Sequence, residues 1–316
     1  MAGLFHYAMH ILINVICGFI PSKGLRSAVR RNYVKDYFKQ KRIIRKTPDS
    51  SSYPNYLSIV AIVKDEAPYL AEWIEYHRLA GVEKFYIYDN ESTDNIKEVL
   101  APYLKDSVVE YKFWPGQAQQ TKAYDDAIGL YKYKSKWIAF IDIDEFIVPI
   151  EKSTIPDFLK DYEDISAVGI NWLIYGDNGA KRKTDGLVIE RFTAHSLPAF
   201  ERNRTFKSIV NPRQVIKMTA HAGHFIGNFT TVNSNREKQN HSFKRKPVYD
   251  KIRINHYWGK SYEEFQIKKY RGDVAYADAG PKSDSEFEYY NRNEIENDGT
   301  MKKYVSTVNR EISVKV

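Results

Sequence analysis

The sequence predicts an α/β fold, a mostly parallel sheet flanked by helices, behind an N-terminal helical segment suited to a membrane surface. Three observations predict it. From Leu57 onward, short β-branched apolar runs alternate with helix-length amphipathic stretches, the pattern of strands joined by right-handed crossovers. The chain has 316 residues, of which 43% are hydrophobic and 14% aromatic, enough for one large core. Its net charge of +8 is unevenly placed: ten of the 48 basic residues and one of the 40 acidic ones lie between Pro21 and Lys46, so the rest of the chain is balanced at 38 against 39. That balance removes the basic footprint of a nucleic-acid-binding domain.

Taken in order, residues 4–20, "LFHYAMHILINVICGFI", are uncharged and apolar but short for a membrane-spanning helix of about 20 residues. His6, His10 and Asn14 recur every fourth residue and form one polar stripe on a helix. No basic leader or small-residue cleavage site precedes a mature start. An interfacial helix followed by a polybasic stretch is expected to hold residues 1–46 on an anionic membrane surface. The single cysteine, Cys17, fits a reducing compartment, so the expected location is the cytoplasmic face of a membrane.

Residues 57–63, "LSIVAIV", read as a strand buried on both faces. A helix follows, with Asp65 and Glu66 at its start, Pro68 in its first turn, Leu70, Trp73 and Ile74 facing the core, and Gly81 as its stop. Residues 83–89 are a second strand, and Ser92 or Asp94 caps a second helix. Residues 107–114 form a third strand, residues 117–132 a helix, and "WIAFIDID" (137–144) a fourth strand. Ligands of open parallel sheets sit beyond the carboxyl ends of the strands. Lys64, Asp65, Glu66, Asp89, Asn90, Asp142 and Asp144 fall at that edge.

Residues two apart on an extended chain point the same way, so Asp142 and Asp144 are expected to present their carboxylates together. Two hard oxygen ligands suit Mg²⁺ or Mn²⁺ with positions left for phosphate oxygens. Phosphatases that form an aspartyl phosphate also use Asp-x-Asp, but on a first strand and followed by Thr or Val; here Glu145 and Phe146 follow a fourth strand.

The stretches "VKDEAPYLAEWIEYHRLAGVEKFYIYDNESTDN", "KWIAFIDIDEFIVP", "FKSIVNP" and "INHYWGKSYEEF" resemble the family 92 glycosyltransferases and the related bacterial family-2-like enzymes over about residues 57–275. The resemblance implies the Rossmann-like GT-A fold and inverting transfer of a hexose, with galactose a candidate, from a nucleotide sugar such as a UDP-sugar to a glycan or glycolipid. By the same resemblance, a divalent ion joins the Asp-x-Asp motif to the donor diphosphate, Asp89 contacts the nucleoside, and Asp142 and Asp144 serve ribose and metal. A protein that binds a nucleotide sugar or glycan without turnover is the alternative.

Donor binding is therefore assigned to Lys64, Glu66, Asp89, Asp142, Lys207 and Lys260, the lysines supplying charge to the leaving diphosphate, and metal binding to Asp142, Asp144 and His256. His221 and His224 compete with His256. The division expected is residues 1–46 for the membrane, 47–280 for catalysis, with a donor half over 57–150 and an acceptor half over 151–280, and a tail of little periodicity at 281–316. On the acceptor side, "VGINWLIYGDNG" (168–179) reads as a strand followed by a Gly-rich turn and "GLVIERF" (186–192) as another strand, with Trp172, Tyr175 and Phe192 as sugar platforms. Residues 233–247 read as a polar loop. Inverting transfer needs a carboxylate base on the acceptor side; the candidates are Asp177, Glu190 and Glu201.

Overall fold

The structure, a computed structural model, describes residues 53–226, 230–239, 246–272, 274–275 and 280–315. The segment read as membrane-associating lies outside these, as do residues 240–245 of the polar loop. Among the described residues no helix is long and apolar enough to cross a membrane.

The first half follows the alternation read from the sequence: β1 (Asn55–Val63), α1 (Ala67–Leu79), β2 (Lys84–Asp89), α2 (Ile96–Lys105), β3 (Val109–Phe113), α3 (Gln120–Tyr131) and β4 (Ser135–Phe140). β1 shows why: Leu57, Ile59, Ala61 and Val63 enter one apolar cluster while Val60 and Ile62 enter another across the sheet. Gly81 ends α1 at φ +98°, and a Cβ there would meet Pro156 Cδ at 2.6 Å, so both backbone and space call for glycine. Asp94 accepts the N–H of Ala67, at the start of α1, at 2.8 Å, and the N-cap of α2 is Asn95 without a side-chain bond.

Beyond β4 come β5 (Glu145–Pro149), α4 (Ile155–Leu159), β6 (Ala167–Ile174), α5 (Val188–Arg191), β7 (Phe206–Val210), β8 (Val215–Met218), β9 (Gly223–Phe225), β10 (Thr231–Val232) and β11 (Ile252–His256). Nine strands form one sheet along the path β3-β2-β1-β4-β7-β6-β11-β5, with β10 beside β6; β8 and β9 pair separately. The sheet is mostly parallel, as the sequence suggested, with five of its eight strand pairings parallel, but three are not. β7 runs antiparallel to both β4 and β6, and β5 antiparallel to β11.

This order forces curvature. In a flat sheet the four spacings from β4 to β5 would span about 19 Å, whereas the chain from Phe140 to Glu145 reaches only about 17 Å fully extended. The sheet therefore curls, and residues 141–144 cross its upper edge as a turn. Asp142 and Asp144 thus sit on that turn and not on a strand, a correction. The reversed β7 brings its first residues, Phe206 and Lys207, to the same edge as the last residues of β6 and β11.

Two further readings change. "GLVIERF" is not a strand: Val188–Arg191 form one helical turn whose leading N–H groups, on Val188 and Ile189, are accepted by the Glu72 carboxylate at 2.8 and 2.9 Å. The region after Gly280 is structured, with α7 (Asp284–Tyr290) and α8 (Lys302–Lys315) following α6 (Tyr262–Tyr270). Ser261 and Ser283 open α6 and α7 with capping boxes closed by Glu264 and Glu286. Tyr304 of α8 meets Tyr76 of α1 edge to face with ring centroids 5.0 Å apart.

Burial raises the Glu72 carboxyl from its ordinary 4.5 to about 7 against the two N–H bonds. The folded protein therefore holds this proton more tightly than the unfolded chain. The resulting stabilisation, of order 3 kcal/mol, is complete below about pH 4.5 and is lost as pH rises through 7. Urea melts at pH 5 and pH 8 are expected to show a smaller stability difference for Glu72→Gln than for the parent in the part that falls with rising pH.

Candidate active site

The turn at 141–144 closes one wall of a cavity of about 250 Å³ at the carboxyl edge of β1 and β4. Lys64 and Glu66 after β1, Gln120 of α3, Lys207 of β7, Trp172 of β6 and His256 of β11 complete the wall, and Lys268 and Arg271 reach in from α6 and its end. Contributions from so many elements reflect the curled edge, where ends of parallel and reversed strands meet.

Each acidic side chain here has a basic partner. Asp142 Oδ2 is 2.8 Å from Lys207 Nζ, and its Oδ1 accepts from Gln120 Nε2 at 3.0 Å. Lys207 also approaches Glu145 Oε1 at 3.7 Å, and Glu145 Oε2 accepts the Asp142 N–H at 3.1 Å. Glu145 is fully buried, and burial pushes its carboxyl well above the usual range despite Lys207. Asp144 Oδ2 is 2.6 Å from Lys268 Nζ, and Oδ1 lies 3.5 Å from His256 Nε2. Burial alone would raise the Asp144 carboxyl, but Lys268 and His256 outweigh it and hold the group well below its ordinary value. Glu66 Oε1 pairs with Arg271 at 2.5 Å, while Oε2 is buried without a hydrogen-bond partner.

His256 is buried against Trp172, with ring centroids 4.3 Å apart. Burial lowers its pKa, and its Nδ1 has no hydrogen-bond partner. His221 also lines the cavity and is lowered to about 4 by burial, with Lys207 adding to the effect. His224 is exposed on β9 and takes no part in the lining.

The structure thus brings together Lys64, Glu66, Asp142, Asp144, Lys207 and His256 from the sequence assignment. Asp89 stands apart from the lining: its oxygens accept the Ser92 N–H at 2.9 Å and the Tyr111 hydroxyl at 2.6 Å, bracing the loop after β2. Lys260, at φ +54°, places its ammonium 4.1 Å over the Tyr69 ring, also outside the lining. Of the three aromatic platforms, only Trp172 reaches the cavity; Tyr175 and Phe192 are core residues.

None of the three candidate bases lines the cavity. Asp177 Oδ1 is used inside its own turn, accepting from the Gly179 N–H at 2.7 Å and the Asn293 amide at 3.0 Å. Glu201 is exposed and bonded to the Tyr289 hydroxyl. Glu190 borders a different cavity beside Asp298 and Lys302. The loops after β6 turn these carboxylates away from the edge where the aspartates gather. Lys268 and Arg271 went unnominated because their spacing reads as the basic end of an ordinary amphipathic helix; both fall on the cavity side of α6, three residues apart.

Among the described residues, no three or more His, Cys, Asp or Glu side chains form a group able to hold a metal ion by themselves. The donor set still fits Mg²⁺ or Mn²⁺ in the way these ions usually bind nucleotides, through one or two carboxylates with phosphate oxygens completing the shell. Asp142, with about a third of its side chain exposed, and Asp144 are the two carboxylates available for this, with His256 beside them.

Residues 58–277 match the family model described as glycosyltransferase family 92. A glycosyltransferase family 92 protein of Ricinus communis is 26% identical over 237 residues, covering 71% of this chain and 39% of that protein. A galactan beta-1,4-galactosyltransferase of Arabidopsis thaliana is 26% identical over 168 residues, covering 48% of this chain and 32% of that protein. Among solved structures, S. aureus TarS residues 1–349 align with a TM-score of 0.34 and 15% identity over 50% of this chain and 47% of that one. The chain spans about two fifths of the Ricinus relative's length or less in each curated relative. With the family model covering more than half of the sequence, the chain belongs to glycosyltransferase family 92.

Proposed function

We propose that the chain is an inverting, metal-dependent hexosyltransferase of the GT-A type, taking its sugar from a nucleotide sugar, in the first instance a UDP-sugar, and passing it to a glycan or glycolipid at a membrane surface. The observation that carries this is the single cavity in which Asp142, Asp144, Lys207 and His256 meet Lys64 and Arg271 at the carboxyl edge of the parallel strands. One Arabidopsis relative's name specifies galactosyl transfer, which makes UDP-galactose the first donor to try.

Asp142 and Asp144 would hold the divalent ion, with His256 adjacent. The ion, when bound, supplies Lewis-acid stabilisation of the departing diphosphate. Lys64 and Arg271 bring further positive charge to the same space, and Lys207 fixes Asp142 from below. Trp172 offers an apolar wall against which a sugar ring can pack.

The test is a panel of nucleotide sugars assayed for release of nucleoside diphosphate with Mn²⁺, Mg²⁺ or chelator, with and without oligosaccharide acceptors. Turnover of one donor that needs the metal and rises with acceptor is the expected result. Donor binding with no release under any condition would leave a binding protein in place of an enzyme.

The location proposed is the cytoplasmic face of an anionic membrane, held by residues 1–46. Removal of that segment takes away a charge of +9, so the shortened protein is expected to leave phosphatidylserine vesicles in flotation while still hydrolysing soluble donor. Unchanged flotation would place the membrane contact elsewhere.

A further inference from the structure

Lys268 occupies an unusual position for a lysine on a short amphipathic helix. Its ammonium is buried, 2.6 Å from Asp144 Oδ2 and 2.7 Å from the Trp258 carbonyl, and 4.8 Å from the Trp258 ring centroid. The same side chain lines the cavity, three residues before Arg271. Asp144 therefore already carries a cation on the oxygen that faces away from His256. A divalent ion and an ammonium compete for one carboxylate, because each satisfies the same negative charge and the two repel each other at such distances.

Lys207 is not equivalent. It is 1% exposed, sits on a central strand, and touches a second carboxylate, Glu145, which keeps it in place whatever happens at Asp142. Lys268 has one carboxylate and lies in the last turn of α6, on a flexible four-carbon stem.

Resting on the transferase reading above, we propose that Lys268 is a resident counter-ion that holds Asp144 until metal and donor arrive together, then yields Asp144 to the metal and turns its ammonium to the donor diphosphate. Two consequences follow. Metal binds poorly without a diphosphate, since it must displace the ammonium with nothing to receive it. Metal and diphosphate bind cooperatively, because the displaced charge is reused on the phosphates.

The experiment measures Mn²⁺ affinity of the full chain by electron paramagnetic resonance, alone and with inorganic pyrophosphate, for the parent, Lys268→Met and Lys268→Arg. Lys268→Met is expected to bind Mn²⁺ alone about tenfold tighter than the parent and to bind pyrophosphate in the presence of Mn²⁺ about tenfold more weakly. Lys268→Arg keeps the charge and is expected to stay near the parent in the absence of pyrophosphate. Lys268→Gln repeats the neutral test should the Met variant not fold. Equal or weaker Mn²⁺ binding by the neutral variants overturns the proposal. If the parent takes up no Mn²⁺ even with pyrophosphate, the metal-dependent reading itself fails, and the proposal with it; Mn²⁺ uptake by the parent with no gain in the neutral variants removes the counter-ion role alone.

Discussion

Asp142→Asn is expected to lower sugar transfer by a factor of about 10² or more and to lower thermal stability less than loss of Lys207 does. Asp142 has one oxygen on Gln120 and one on Lys207, and about a third of the side chain remains open to the cavity. The amide keeps the shape but loses the charge on which the proposed metal and donor site depends. Lys207 keeps its 3.7 Å approach to Glu145 and Asp142 is the more exposed member of its pair, so the loss of stability is the smaller one. Donor affinity read by calorimetry in Mn²⁺ should fall with the rate. A variant that binds donor as the parent does would move the diphosphate site away from this turn.

The largest stability effect is expected at Lys207. This ammonium lies beneath the turn between Asp142 and Glu145, both carboxylates raise its pKa against the cost of burial, and it is almost wholly removed from water. Lys207→Met removes the buried cation shared by Asp142 and Glu145, a loss of about 3–5 kcal/mol, which corresponds to a fall in Tm of about 10 °C for a chain of this size. Replacing both buried members restores apolar packing and leaves only the part-exposed Asp142 without its cation. The double variant Lys207→Met with Glu145→Leu is therefore expected to recover much of the lost Tm but none of the activity. A single variant melting with the parent would show that the pair contributes nothing to the fold.

The first seven elements were legible because each carries its own local signal: a β-branched run for β1, helical spacing of Leu70, Trp73 and Ile74 for α1, and so on to β4. Strand orientation has no such signature. "FKSIV" reads the same whether it runs up or down, so the reversal of β7 could not be anticipated, nor that Lys207 would lie under Asp142. "GLVIERF" misled because Val188 and Ile189 favour strands, while the Glu72 carboxylate that turns them into a helix is 116 and 117 residues away in sequence. The C-terminal helix was legible in principle: Tyr304, Val305, Val308 and Ile312 keep a helical spacing. Among site residues, the motif aspartates and His256 were nominated from pattern and resemblance. Lys268 and Arg271 were not, because only the placement of α6 against the cavity distinguishes them from surface charges.

The passage of residues 141–144 across the curled edge also sets when the site can be made. β5 follows β4 at once in the chain, yet its partner in the sheet is β11, whose residues 252–256 lie about a hundred positions later. Until β11 is in place, β5 has no neighbour to pair with and the turn bearing Asp142 and Asp144 has no fixed far end. Closing so long a loop is entropically slow. A chain emerging from the ribosome can therefore pack β1 to β4 with their helices early, but it acquires its cavity edge only after β11 has emerged. Nascent chains arrested before residue 252 should resist proteolysis through β4 and remain open to cleavage around residues 141–150, so that the cavity edge stays unformed in an unfinished chain.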